Sequence, residues 1–151
     1  MAQQKEIIST INGLIETLKD GQEGFKQAAE AVKDSNLKSL FSEYSLQRAR
    51  FAGELQSEAH QLGESEPEES SSEAGAMHRA WINLKSAVTS GDDHAILAEC
   101  ERGEDSAVNE YKEAMEDGLT SPIRDIVSRQ YSEVKSAHDK IKSLRDAAKT
   151  S

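Results

Sequence analysis

The chain contains few of the residues that cross-link, kink or stack a protein. Among its 151 residues are one cysteine, two prolines, one tryptophan, three tyrosines and three phenylalanines. A single cysteine, Cys100, excludes an intrachain disulfide, which is typical of proteins kept in a reducing compartment. So few aromatic rings provide no stacking platform for single-stranded nucleic acid.

Positive charge is also scarce. Lys and Arg number 18 against 28 Asp and Glu, a formal net charge of −10 at pH 7. This balance repels phosphate groups, so we expect neither nucleic acid nor a membrane as a partner. No apolar run approaches the roughly 20 residues that span a bilayer, and no apolar leader follows the N-terminus. Together these features favour a cytoplasmic protein.

What the sequence does contain is a helical pattern. Apolar residues recur at steps of three and four over most of the chain, which indicates amphipathic helices and an all-α fold. The length suits one domain, residues 1–151. The pattern predicts five helices. The first two run from Gln3 to Val32 and from Leu37 up to Gly63, and the third from Ala74 to Ser90. The fourth begins at a cap, Asp92 or Asp93, and runs up to Gly118, and the fifth runs from Pro122 through Leu144.

The breaks between these helices predict the topology. The short polar break at residues 33–36 predicts that the first two helices are antiparallel neighbours. Ser121 is the predicted N-cap of the last helix, and Pro122 is its predicted first residue. Residues 63–73 form an acidic linker, and residues 74–90, anchored by Trp81, form a crossover. We therefore predict an antiparallel four-helix bundle with a fifth, shorter crossover helix. The rival arrangement is an elongated helical array in which residues 74–90 pack as a full member.

Four phrases of the sequence resemble a known family. They are LIETLKDGQEGFKQAAE (14–30), HRAWINLKSAV (78–88), ECERGED (99–105) and SRQYSEVKSAHDKIKSLRD (128–146). The chain is similar to an uncharacterised family of small bacterial ferritin-like four-helix-bundle proteins, a domain of unknown function. The resemblance implies the ferritin-like fold and a bacterial cytosolic setting, and it implies no established activity.

The di-iron form of this fold requires a motif that the chain lacks. Such a site takes a Glu from each of two helices and a Glu-x-x-His from each of the other two. Three residues before the four histidines stand Ser57, Gly75, Gly91 and Lys135, so no Glu-x-x-His exists in the chain. We expect no catalytic residue, no cofactor and no metal. The best metal candidates, if such a site exists, are Glu104, His138 and Glu101.

Polar residues interrupt the apolar stripes near the middle of the helices, and they are Gln22, Gln47 or Arg48, Glu104, and Gln130 or Tyr131. Alignment with the ferritin-like pattern places Gln47 and Arg50 of helix two at the Glu and His positions of one Glu-x-x-His motif. It places Lys135 and His138 of the last helix at those of the other motif. Three interpretations stay open: a hydrogen-bonded polar layer, rotation of some positions to the surface, or a ligand or metal site. The predicted layer comprises Gln22, Gln47, Arg50, Glu104, Gln130 and Lys135.

The sequence predicts a non-enzymatic bundle protein that acts by assembly or interaction. A homodimer is the expected assembly, and similar ferritin-like proteins suggest a stress-related role. The alternative function is a metal-dependent, iron-handling or oxidase protein with an atypical site.

Overall fold

The fold is built from five helices in the computed structural model, which describes residues 2–63, 81, 84–90 and 92–150. In this part of the chain all regular secondary structure is helical, and no helix is long and apolar enough to cross a bilayer. The five helices are α1 (Ala2–Ala31), α2 (Ser35–Gln61), α3 (Leu84–Ser90), α4 (Asp93–Glu116) and α5 (Ile123–Thr150).

Two aspartates fix the turn between α1 and α2. Asp34 caps α2, because its Oδ1 accepts the backbone N–H groups of Asn36 at 2.7 Å and Leu37 at 3.2 Å. Asp93, in the first turn of α4, accepts the backbone N–H groups of Lys33 at 2.9 Å and Asp34 at 3.1 Å. The α1–α2 turn is thereby joined to the start of α4.

The turn between α4 and α5 differs from its prediction by one residue. Gly118 follows α4 with a φ of 77°, the left-handed conformation that glycine adopts without a steric penalty. The helix α5 begins at Ile123, and the Pro122 carbonyl accepts the N–H of Ile126 at 3.2 Å. Ser121 is therefore not the N-cap, and the peptide bond between Ser121 and Pro122 is cis.

The helices pair as two hairpins. The α1–α2 and α4–α5 interfaces are the most extensive, and α1 also packs on α4. Thr10 Oγ1 donates to Asp117 Oδ2 at one end of α1 and α4, whereas Lys33 meets Asp93 at the other, so these two helices are antiparallel. Since α1 is antiparallel to both α2 and α4, α2 and α4 run parallel. The connection between them must span the bundle, about 36 Å for the 24 residues of α4.

This connectivity confirms the predicted two hairpins joined by a long crossover. The described part of the crossover is Trp81 and the seven-residue helix α3, which lies against α4 and α1. Trp81 lies in a turn before α3, which corrects the prediction that it is helical. The predicted acidic linker, from residue 64 onward, and the predicted helical residues 74–80, 82 and 83 lie outside the described residues.

Among the described residues, the core consists of two apolar clusters at opposite ends of the bundle. The first cluster is centred on Leu14, Leu55, Tyr111 and Val127, and the second on Phe25, Phe41, Trp81, Leu97 and Ile141. The helices carry polar side chains at the level between the clusters, including Arg48 of α2 and Glu104 of α4.

Candidate functional site

An ion pair lies at the centre of the bundle. Arg48 on α2 is 1% exposed and Glu104 on α4 is 0% exposed. Arg48 Nη1 donates to Glu104 Oε2 at 2.6 Å, and Nη2 donates to Oε1 at 2.7 Å. This bidentate geometry matches the planar guanidinium to the planar carboxylate, so the pair holds α2 and α4 in one relative position.

The guanidinium of Arg48 has partners on its other sides. Its Nε donates to Gln47 Oε1 at 3.1 Å, and its Cζ lies 5.3 Å from the centroid of the Phe25 ring. Burial disfavours the charged form, but the charge and hydrogen bonds of Glu104 outweigh it, so the pKa of Arg48 is raised above its usual value. Arg48 is therefore a fixed cation inside the bundle.

Tyr44 is a half-buried neighbour of this ion pair. Its ring centroid lies 5.4 Å from that of Phe25. Burial, followed by the negative charge of Glu104, raises the pKa of Tyr44 to about 12. Its hydroxyl therefore stays protonated and adds no charge to the site near neutral pH.

A second network joins α4, α5 and α2. The Tyr111 hydroxyl donates to Gln130 Oε1 at 2.7 Å. Gln130 Nε2 donates to the Phe51 carbonyl at 3.3 Å and to Glu54 Oε1 at 2.8 Å. Arg129 Nη2 donates to Glu54 Oε2 at 2.8 Å. The fully buried Gln130 thus has partners for both ends of its amide, as a buried polar group requires.

Some predicted members of the polar layer belong to it. Glu104 and Gln130 are fully buried, and Gln47 is half-buried against Arg48. Gln22 is half-buried, and its backbone carbonyl accepts the Ser45 hydroxyl at 2.8 Å. These positions correspond to the expected interruption of the apolar stripes.

Arg50 and Lys135 do not belong to the layer, which corrects the prediction. Arg50 is exposed, and Lys135 is 49% exposed with its Nζ 3.0 Å from Asp139 Oδ2. The reason is helical geometry, because each residue turns the chain by about 100° and the buried stripe passes through Arg48 instead of Arg50. Similarly, Val134 occupies the buried face of α5 next to Lys135.

The apolar stripe of α2 indicates Arg48, which is one of the two residues that interrupt it near its middle. Phe41 lies seven residues before Arg48 and Leu55 seven residues after it, and both are fully buried. Positions seven apart share a helix face, so this spacing predicts burial of Arg48. The stripe therefore predicts the buried arginine, whereas the alignment with the metal-binding pattern places Arg50 in the layer instead.

Trp81 is wedged between two glycines. It is 4% exposed, its indole lies against Gly24 of α1 and Gly103 of α4, and its ring centroid is 5.2 Å from that of Phe25. A Cβ added at either glycine would meet the indole closer than real Cβ atoms approach other atoms. The two glycines therefore form the slot that receives the crossover, which confirms Trp81 as its anchor.

A third polar group lies where α4 faces α5. Glu101, Asp105 and His138 each place one potential ligand atom within 4.8 Å of the other two. His138 Nε2 lies 2.5 Å from Asp105 Oδ1, and His138 Nδ1 lies 3.0 Å from Asp139 Oδ1. Burial alone would lower the pKa of His138, but the bonds to Asp139 and Asp105 outweigh it and raise that pKa. Two of the predicted metal candidates, Glu101 and His138, are thus brought together with Asp105.

The bundle centre does not fit the di-iron group associated with the ferritin-like fold. Within the described residues, Glu101 and Glu104 are the buried carboxylates. Glu104 is already bound by Arg48, whereas Glu101 faces Arg145 of α5, whose Nη1 lies 2.8 Å from Glu101 Oε1. Two hard cations need several free carboxylates around one point, and this centre presents a cation there instead.

Comparison with known proteins agrees with this fold. A solved structure of a Dps1 point mutant from Mycobacterium smegmatis matches with a TM-score of 0.81 at 14% identity, covering 95% of this chain and 97% of that chain. The chain therefore has the ferritin-like helical fold. No curated protein sequence matches it. The profile of one family matches residues 6–117, so the chain belongs to the family described as Domain of unknown function (DUF2383).

Proposed function

We propose that this chain is a non-enzymatic ferritin-like bundle protein that acts by assembly or by binding a partner protein, in a stress-related setting. A homodimer is the expected assembly. The alternative is a metal-dependent ferritin-like protein, either iron-handling or an oxidase, with an atypical site. The alternative requires free carboxylates for a metal at the bundle centre, whereas the first proposal does not.

The observation that carries the proposal is the Arg48–Glu104 pair. Glu104 is the carboxylate at the centre of the bundle, and both of its oxygens accept hydrogen bonds from Arg48. An Fe²⁺ ion at Glu104 would lie next to a guanidinium in a dry environment, where charge repulsion is strong. Binding iron would also require separating the buried pair.

Glu54, another carboxylate near the layer, offers no replacement for Glu104. Glu54 accepts hydrogen bonds from Gln130 and Arg129, and these bonds lower its pKa although partial burial opposes them. Its charge is therefore already compensated by a cation. This supports a centre that stabilises helix positions through an internal ion pair and hydrogen bonds.

Iron titration tests the proposal. Protein purified without chelator should contain no stoichiometric di-iron centre, and adding Fe²⁺ in air should oxidise iron no faster than a protein-free control. The measurements are elemental analysis, iron absorbance and oxygen uptake. Glu104→Gln, checked by circular dichroism for folding, should behave as the wild type does.

The opposite result would make the protein an enzyme. Two bound iron atoms per chain, oxidised by oxygen in a reaction that Glu104→Gln abolishes, contradict the proposal. Sedimentation equilibrium of the same sample addresses assembly, since the proposal expects a dimer.

A further inference from the structure

We propose that Glu101, Asp105 and His138 form a binding site for a single divalent cation of the zinc class, between α4 and α5. This site is separate from the bundle centre and goes beyond the proposed function. It would join the two helices of the second hairpin through a metal ion.

The backbone places the three side chains together. Glu101 and Asp105 are four residues apart on α4 and therefore share one helix face, opposite His138 on α5. Their ligand atoms lie within 4.8 Å of one another. Tetrahedral zinc with bonds of about 2.0–2.2 Å requires ligand separations of roughly 3.3–3.6 Å. Small side-chain rotations supply this, with the ion replacing the His138–Asp105 hydrogen bond.

The histidine is oriented as a metal ligand. Asp139 Oδ1 lies 3.0 Å from His138 Nδ1, which leaves Nε2 directed at Asp105. Histidines that bind metals almost always donate their other ring N–H to a carboxylate or carbonyl, which fixes the tautomer and the ring direction. Asp139 is in turn held by Lys135, whose Nζ lies 3.0 Å from Asp139 Oδ2. Asp139 and Lys135 thus hold the imidazole in this orientation.

Glu101 is a buried carboxylate on the side of α4 that faces α5. The residue is 9% exposed, and Arg145 Nη1 lies 2.8 Å from its Oε1. A divalent ion would therefore share this carboxylate with Arg145 or displace Arg145 from it. Burial strengthens the attraction of the carboxylate for either cation.

Access and charge also suit a small cation. A groove of about 370 Å³, lined by Asp105, Asn109, Lys112, Lys135 and His138 among others, opens at the imidazole and admits water to complete the coordination. Binding displaces the proton from His138 Nε2, and the resulting neutral imidazole with two carboxylates carries two negative charges, which a divalent ion neutralises. Arg145, Lys112 and Lys135 are the nearby cations that limit the affinity.

The ligand set identifies the class of ion. One imidazole nitrogen with two carboxylate oxygens suits first-row ions such as Zn²⁺, whereas Mg²⁺ and Ca²⁺ prefer oxygen ligands alone. Zinc is therefore the probe, and magnesium is the comparison ion.

Calorimetric titration of the intact chain with Zn²⁺ tests the site. One ion per chain should bind with a dissociation constant in the micromolar range or below, and excess Mg²⁺ should not displace it. His138→Ala and Asp105→Asn should weaken binding at least about tenfold, and Asp139→Asn roughly 10- to 100-fold, as outer-shell changes do. His60→Ala is the matched control, because His60 is exposed on α2, and it should bind zinc as the wild type does.

Two outcomes would overturn the site. One is the absence of saturable zinc binding in the micromolar range. The other is stoichiometric binding that His138→Ala and Asp105→Asn leave unchanged, with the fold of each variant verified by circular dichroism. The iron test of the proposed function is decided separately, since that test concerns oxygen-dependent oxidation at Glu104 and this one concerns zinc at His138.

Discussion

Replacing Arg48 with methionine should lower the free energy of unfolding by about 3–5 kcal/mol. The substitution keeps a side chain of similar length but leaves Glu104, which is fully buried, without its partner. An unpaired buried charge carries its whole desolvation penalty, which is larger than the net value of the pair. Chemical denaturation monitored by circular dichroism measures the change.

Two further variants make this result interpretable. The double variant Arg48→Met with Glu104→Leu removes both charges, and it should recover most of the loss because a packed apolar pair is often as stable as a buried ion pair. Arg50→Met is the control, since Arg50 is exposed, and it should change stability by less than about 0.5 kcal/mol. A loss under about 1 kcal/mol for Arg48→Met would show that water reaches the centre.

Trp81→Ala should cost about 3–5 kcal/mol, because it removes a large buried aromatic side chain and leaves a cavity between α1 and α4. The indole is 4% exposed and touches both glycines of the slot as well as Phe25. The measurement is again the free energy of unfolding. A loss under about 1 kcal/mol would mean that the crossover is only loosely attached.

A double-mutant cycle tests whether the stability that Trp81 contributes comes from its packing between Gly24 and Gly103. Gly103→Ala alone should be destabilising, because its new Cβ would overlap the indole of Trp81. In the Trp81→Ala background the same change should be harmless, and it should even stabilise α4, since alanine is the better helix former. Gly53→Ala on α2 is the control, because a Cβ there meets nothing within 4 Å. Equal effects of Gly103→Ala in both backgrounds would contradict the slot.

The fold was predictable because local chemistry marks its breaks. Asp34, Asp92 and Gly118 lie at helix ends where capping rules predict them, and the polar break after Val32 predicts the first hairpin. The long stretch of sequence between α2 and α4 predicts the crossover. The predicted start of α5 is one residue too early. Whether Pro122 is helical depends on the whole turn between α4 and α5 and not on Ser121 and Pro122 alone.

The site was less predictable, because it depends on which face of each helix is buried. Glu104 and Gln130 are buried as predicted. The interruption of the apolar stripe indicates Gln47 or Arg48, but the predicted layer contains Arg50, which lies about 200° away from Arg48 around α2. Asp105 was missed for a different reason. It is exposed on α4, and only the packing of α5 brings His138 next to it. A single sequence contains no signal for a contact across 33 residues.

The glycine slot has a spectroscopic consequence. Trp81 is the single tryptophan of the chain, and its indole contacts Gly24 of the first hairpin and Gly103 of the second. Its fluorescence therefore reports one event, the seating of the crossover between the two hairpins, with no other indole contributing to the emission. In the closed slot the indole is shielded from water and from soluble quenchers, so a red shift and quenching would appear when the crossover leaves. Helix content, measured by circular dichroism, would change mainly when the hairpins themselves unfold, because the described part of the crossover contributes only the seven-residue helix α3. Comparing the two signals along one denaturation curve distinguishes release of the crossover from loss of the bundle.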